Sequence, residues 1–183
     1  MPNLAVLYRL KALFRRGTLE MARGTKVPPG TVLRWKNGSI RLAEKAMLRR
    51  GVILDAQSGS IDIGRNVSIN DYSILLGHGG ITIGDDVRIA GQVMIASFDH
   101  DFEDAGTLIR QQGIIKKPIV IEDDVWIGAG AKILGGAHIA RGCVIGANAV
   151  VKGRTQPYGV YVGVPAKRIK QRSGPAASDR TAA

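Results

Sequence analysis

Aliphatic residues return along this chain at a fixed interval of six, at Ile121, Ile127, Ile133, Ile139, Ile145 and Val151. Four residues beyond each of the first five stands a second apolar and mostly small residue: Val125, Ala131, Ala137, Cys143 and Ala149. Gly128, Gly142 and Gly146 fall among the polar positions between them. A helix repeats roughly every 3.6 residues and a half-buried strand every 2, so neither produces this interval. The pattern predicts one short strand and one turn per hexad, the signature of a parallel β-helix.

The spelling extends upstream through the trios Ile63, Ile69, Leu75 and Ile83, Ile89, Ile95, with Val67, Ser73, Val87 and Val93 at the second position. Leu42, Leu48 and Leu54 form a more degenerate trio, followed by Ala46 and Val52. Trios imply a triangular coil with one hexad per side and the aliphatics stacked in inward columns. Ile95 and Ile121 are 26 residues apart where six would do, so about 20 residues must leave the coil and return. Insertions of this kind project as loops and often carry function. This one holds Ser97, Phe98, Asp99, His100, Asp101, Phe102, Glu103 and Asp104, then a basic stretch before Pro118.

Outside the repeats, residues 4–16 read as an amphipathic helix. Val6, Leu7, Leu10, Leu13 and Phe14 lie on one face and Arg9, Lys11, Arg15 and Arg16 on the other. Such a helix either closes the end of the coil or lies on an anionic membrane surface. The small, polar residues from about Gln171 onward read as a loose tail. The organisation expected is an amino-terminal cap over 1–25, a solenoid over 26–165 with its loop at 98–118, and a basic carboxyl segment over 166–183.

A length of 183 residues at 45% hydrophobic composition fits one domain with a continuous core. One cysteine excludes an intramolecular disulfide, no Cys/His cluster suggests a metal, and no apolar run reaches a membrane span, so a cytoplasmic location is expected. Cys143 occupies the small inward slot also filled by Ala137 and Ala149, which makes it a core residue rather than a nucleophile. His138 is outward with no evident partner. The net charge of +11 would suit a nucleic acid, but aromatics are 5%, no binding motif is present, and the basic residues concentrate towards the termini. A phosphate-bearing small molecule or an anionic surface explains the charge as well.

Three further stretches sharpen the reading: His100 in the loop, Val125-Trp126-Ile127-Gly128 where the chain rejoins the coil, and Gly163-Val164-Pro165-Ala166-Lys167 after the last coil. In this order, over a hexad array, the chain resembles the hexapeptide-repeat acyltransferases, within them the galactoside, maltose and capsular-polysaccharide O-acetyltransferases. The resemblance implies an all-β, left-handed parallel β-helix, a homotrimer with sites between subunits, acetyl-CoA as donor and a sugar or glycan acceptor. It matches His100 to the catalytic base, suited to that task by an imidazole that titrates near neutrality. Asn70 matches a residue near thioester and acceptor, and Ala129 and Ala147 match positions lining the pantetheine arm. Trp126 either walls the donor groove or sits in a subunit interface. Lys152, Lys167 and Lys170 fall where the family meets the CoA phosphates. Asp99 and His78 complete the acceptor candidates with Asn70, although His78 stands where galactoside enzymes carry an acid. What the resemblance implies is an O-acetyltransferase of surface polysaccharide assembly; N-acetylation of an amino sugar or small xenobiotic, or a non-catalytic scaffold, are the alternatives.

Overall fold

The computed structural model describes residues 4–12 and 16–173. Three parallel sheets form the faces of a triangular prism. The first face stacks Thr18–Met21, Ser39–Leu42, Ser60–Ile63, Ile81–Ile83, Ile119–Ile121 and His138–Ile139. The second stacks Met47–Leu48, Ser68–Ile69, Arg88–Ile89, Trp126–Ile127, Val144–Ile145 and Gly159–Val162, with Lys167–Gln171 added antiparallel at its end. The third stacks Val32–Arg34, Ile53–Asp55, Ile74–Leu76, Met94–Ala96, Lys132–Ile133 and Val150–Val151. This is the parallel β-helix expected from the hexads, with the left hand that the resemblance implied.

Register follows the aliphatic columns. Leu48, Ile69, Ile89, Ile127 and Ile145 align strand to strand on the second face, each buried to 1% exposure or less. The small positions Ala46, Val67, Ser73, Ala131, Cys143 and Ala149 are buried beneath the corners. On the first face the second inward position, two residues before each aliphatic, holds Ile40, Ile61, Ile81 and Ile119, all buried, in line with Ala137 of the next coil. The early coils are longer, 21 residues from Leu42 to Ile63 and 20 from Ile63 to Ile83, against 18 from Ile121 to Ile139. That surplus breaks the six-residue spacing ahead of Ile61 and Ile81, so the hexads do not mark them, while alternation along the strand still turns them inward.

The three edges of the prism differ in chemistry. The edge between first and second faces is charged, with Asp85, Asp86, Asp123 and Asp124 in its turns, Asp85 and Asp123 paired to Arg65 and Arg141. The edge between second and third faces carries Asn70, Ala129 and Ala147, and we call it the small-residue edge. From the edge between third and first faces the excursion departs, making it the loop edge. Ile83 and Ile121 are register partners 38 residues apart, 20 more than an 18-residue coil.

The amino-terminal helix Ala5–Ala12 packs with a different face from the one expected. Leu4, Ala5 and Tyr8 meet the core, while Val6 and Leu7 point outward at 66% and 45% exposure. The Tyr8 hydroxyl donates to the Thr31 carbonyl at 2.8 Å and its ring meets Trp35 edge-on, so one residue combines an apolar face with a satisfied polar tip. The remaining residues assigned to the two helix faces, Arg9, Leu10, Lys11, Leu13, Phe14 and Arg15, lie outside those whose side chains are described, apart from Arg16, which is exposed. The tail expected beyond Gln171 falls outside the described residues after position 173. No helix among the described residues is long and apolar enough to cross a membrane.

Candidate active site

The excursion is not a bare loop. Phe98–His100 pairs antiparallel with Ile114–Lys116, so a β-hairpin stands off the loop edge. Its ends are closed by backbone bonds from Lys117 N to the Ser97 carbonyl at 2.8 Å and from Gly136 N to the Lys117 carbonyl at 3.1 Å. Ser97 is fully buried; its hydroxyl donates to the Leu76 carbonyl at 3.0 Å and accepts from Gly79 N at 2.9 Å. At the far end Asp104 accepts from the Thr107 hydroxyl and Gly106 N, bonds that hold its carboxyl below the usual range, the hydroxyl contributing most.

Where the hairpin leaves the prism, a cleft of about 360 Å³ is lined by Asp99, His100, Phe102, Lys117, Leu134, Gly135 and Lys152. His100 is exposed to solvent. Lys117 Nζ donates to Asp99 Oδ2 at 2.6 Å, which spends the carboxylate on a neighbouring cation. Nothing local to Lys117 in the sequence signals the pairing, because Asp99 lies on the opposite arm of the hairpin. His78 sits at the same edge, its ring stacked on Phe98 with centroids 4.3 Å apart. Phe98 in turn meets His100 edge-on at 6.3 Å.

The structure divides the residues matched by resemblance. His78, Asp99, His100 and Lys152 gather at the loop edge. Asn70, Ala129 and Ala147 lie together at the small-residue edge, across the third face. There Asn70 Nδ2 donates to the Ile89 carbonyl at 2.7 Å and Asn148 N donates to the Ala129 carbonyl at 2.8 Å, while Ala129 and Ala147 are exposed. Trp126 projects from the second face at 55% exposure. Lys167 and Lys170 belong to the exposed terminal strand, apart from Lys152. Cys143 is buried in its inward slot, with Sγ 3.1 Å from the Gln156 carbonyl. His138, expected to be unpartnered, donates from Nε2 to Glu122 Oε1 at 2.6 Å. Among the described residues, no group of three or more His, Cys, Asp or Glu is arranged to hold a metal ion.

The family model for bacterial transferase hexapeptide repeats matches residues 118–153. A lipopolysaccharide biosynthesis O-acetyl transferase by name, WbbJ of Escherichia coli K12, is 34% identical over 143 residues, covering 74% of this chain and 73% of its own length. The chain belongs to the hexapeptide-repeat transferases. A Mycobacterium tuberculosis protein named as an acetyltransferase is 37% identical over 84% of this chain, which spans only 44% of that protein's length. Among solved structures, the Bacillus cereus N-acyltransferase AntD, crystallised with dTDP-4-amino-4,6-dideoxyglucose and coenzyme A, superposes with a TM-score of 0.77. It covers 92% of this chain and 90% of its own at 22% identity, a likeness of fold. For this hexapeptide-repeat transferase, the excursion at the loop edge is then the feature that distinguishes a site from a bare scaffold.

Proposed function

We propose that the chain is an acetyl-CoA-dependent O-acetyltransferase acting on a sugar hydroxyl in surface-glycan assembly. The observation that carries this reading is His100, exposed in the cleft where the long excursion leaves the solenoid. Family membership and the likeness to WbbJ support it. In the reaction, one ring nitrogen of His100 takes the proton of the acceptor hydroxyl as that oxygen attacks the thioester carbonyl. The tetrahedral intermediate then expels the CoA sulfur, and the imidazolium returns the proton to it. Since Asp99 is engaged by Lys117, it serves the acceptor or the cleft's shape more readily than it serves as a second base.

The donor would run along the small-residue edge, where Asn70, Ala129 and Ala147 leave the main chain open, beside Trp126. Its phosphates would meet the terminal lysines Lys167 and Lys170 and the cleft lysine Lys152, cations being the expected partners of phosphate oxygens. In one chain these donor positions and His100 occupy opposite edges of the third face. The outward column of that face is largely apolar, through Val32, Ile53, Ile74, Met94 and Val150, with Lys132 between the last two and the Arg34–Asp55 ion pair beside the first strands. A homotrimer packed through it would bring the loop edge of one copy against the small-residue edge of the next, with three sites per assembly. Acetyl-CoA supply would keep the reaction in the cytoplasm, and the outward Val6 and Leu7 would allow the helix to touch a membrane.

Release of free thiol from acetyl-CoA, scored over a panel of glycosides and matching amino sugars, tests the reading. His100→Ala should lower turnover by about 10²–10⁴, the usual worth of a positioned base, with acetyl-CoA binding retained. A fully active His100→Ala protein would remove the base from the mechanism. Acetylation of the amino sugar alone would move the assignment to N-acetyl transfer.

A further inference from the structure

The ring of His100 has no hydrogen bond orienting it among the described residues. A catalytic imidazole is commonly aimed by a carboxylate or carbonyl on its second nitrogen, and the adjacent carboxylate here, Asp99, is held by Lys117. What touches the His100 ring is Phe98, edge-on at 6.3 Å with the planes at 77°. Phe98 is backed by His78, 4.3 Å away and within 4° of parallel. The three rings thus run in series from the prism wall to the exposed base.

His78 is fixed at the wall end. Its corner is tied to neighbouring coils by Gly77 N to the Asp55 carbonyl at 2.8 Å and by Gly79 N to the Ser97 hydroxyl at 2.9 Å. Its Nε2 is buried and, among the described residues, has no hydrogen-bond partner. That nitrogen is turned into the wall, and what the ring presents to the hairpin is its flat face on Phe98. A buried nitrogen without a partner is a cost to the fold, tolerated where the flat ring itself has a use.

We propose that His78 is a positioning residue for His100, acting through Phe98. The stack, rather than a hydrogen bond, sets the angle at which the base meets the acceptor hydroxyl. His78 contributes a ring face and not a hydrogen bond to the acceptor. Hairpin strands are easily displaced relative to a scaffold, and a ring wedged between the hairpin and a corner of the rigid coil removes that freedom where proton transfer demands it. The inference rests on His100 being the base.

Three variants of the full chain test it: His78→Ala, His78→Phe and Phe98→Leu. His78→Ala and Phe98→Leu should each lower kcat about tenfold, the cost of a mis-set catalytic group, with KM for acetyl-CoA and acceptor within about twofold. His78→Phe should return kcat to within about threefold of the parent, because it keeps the flat face, and should melt higher, because the unpaired nitrogen is gone. The NMR resonance of the His100 ring should move in Phe98→Leu with the loss of the adjacent ring current, a readout that needs no turnover. Should His78→Phe be as damaging as His78→Ala, or should acceptor KM rise with kcat kept, His78 is an acceptor ligand and the proposal falls. An unmoved His100 resonance in Phe98→Leu would overturn the stack, whatever the activity. A fully active His100→Ala protein would instead overturn the base reading on which the proposal stands.

Discussion

Glu122 shows how a corner residue gains a task that its own sequence neighbourhood does not announce. It accepts from His138 Nε2 and, through its second oxygen, from Arg141 N at 2.8 Å, both one coil further on. The bond from His138 contributes most to holding its carboxyl below the ordinary range. A carboxyl whose folded pKa is depressed stabilises the fold above its unfolded value, and that contribution disappears as pH falls through the folded value. Glu122→Gln should therefore melt lower than the parent at neutral pH, and the gap should close below about pH 4, the ordinary glutamate range. Thermal melts of both proteins from pH 7 to pH 3 would measure it, and a gap that persists unchanged at pH 3 would contradict this account.

At the scale of the element, a hexad is a strand plus a turn whose geometry is dictated by the coil above. Gly128 opens one corner of the small-residue edge, where a Cβ would stand 2.6 Å from Ala147 N and 2.9 Å from the Gly146 carbonyl carbon. Both are backbone atoms of the next coil and have nowhere to retreat. Gly128→Ala should cost on the order of 1–3 kcal/mol, as overpacking of a close-fitted interior does. Urea unfolding would read it as a lower midpoint at unchanged slope. A midpoint equal to the parent's would mean that the coils slide apart freely. The hairpin is the converse case, an element stabilised by its own cross-strand pairing and by the Asp99 to Lys117 ion pair rather than by the repeat.

For the whole molecule, the decisive feature is that two unlike edges flank one largely apolar face. Its outward column Val32, Ile53, Ile74, Met94, Lys132 and Val150 holds a single charge, where a first-face column includes Glu20, Arg41 and Asp62, and an apolar stretch of that length is unusual to leave in water. Ile74→Lys places a charge at the centre of that face. Light scattering coupled to size exclusion should show the parent as a trimer and the variant as a smaller species, with thiol release lost in parallel. A parent that runs as a monomer, or a variant that remains trimeric and active, would exclude the third face as the interface.

The six-residue period by itself determined the inward columns, the triangular coil, the buried setting of Cys143 and the place and size of the excursion, because inward spacing is a local code repeated along the chain. His100 stood out for the same reason: it lies where the code is interrupted between Ile95 and Ile121. The separate edges of Asn70 and His100 also follow from that code, since Asn70 comes after the middle aliphatic of its trio, Ile69, and the excursion after the last of the next, Ile95. The tertiary structure decided what the code does not space. Coils of 21 and 20 residues precede the excursion and one of 18 follows it, and the surplus in the early coils hides Ile61 and Ile81 from the hexad spacing although stacking buries them. Stacking is also why His138 meets Glu122. The helix face was likewise settled by Trp35 and Thr31, which lie far from Tyr8 along the chain. The stack of His78, Phe98 and His100 joins a corner to a hairpin one coil later, a proximity created by closing the coil and absent from the order of the residues.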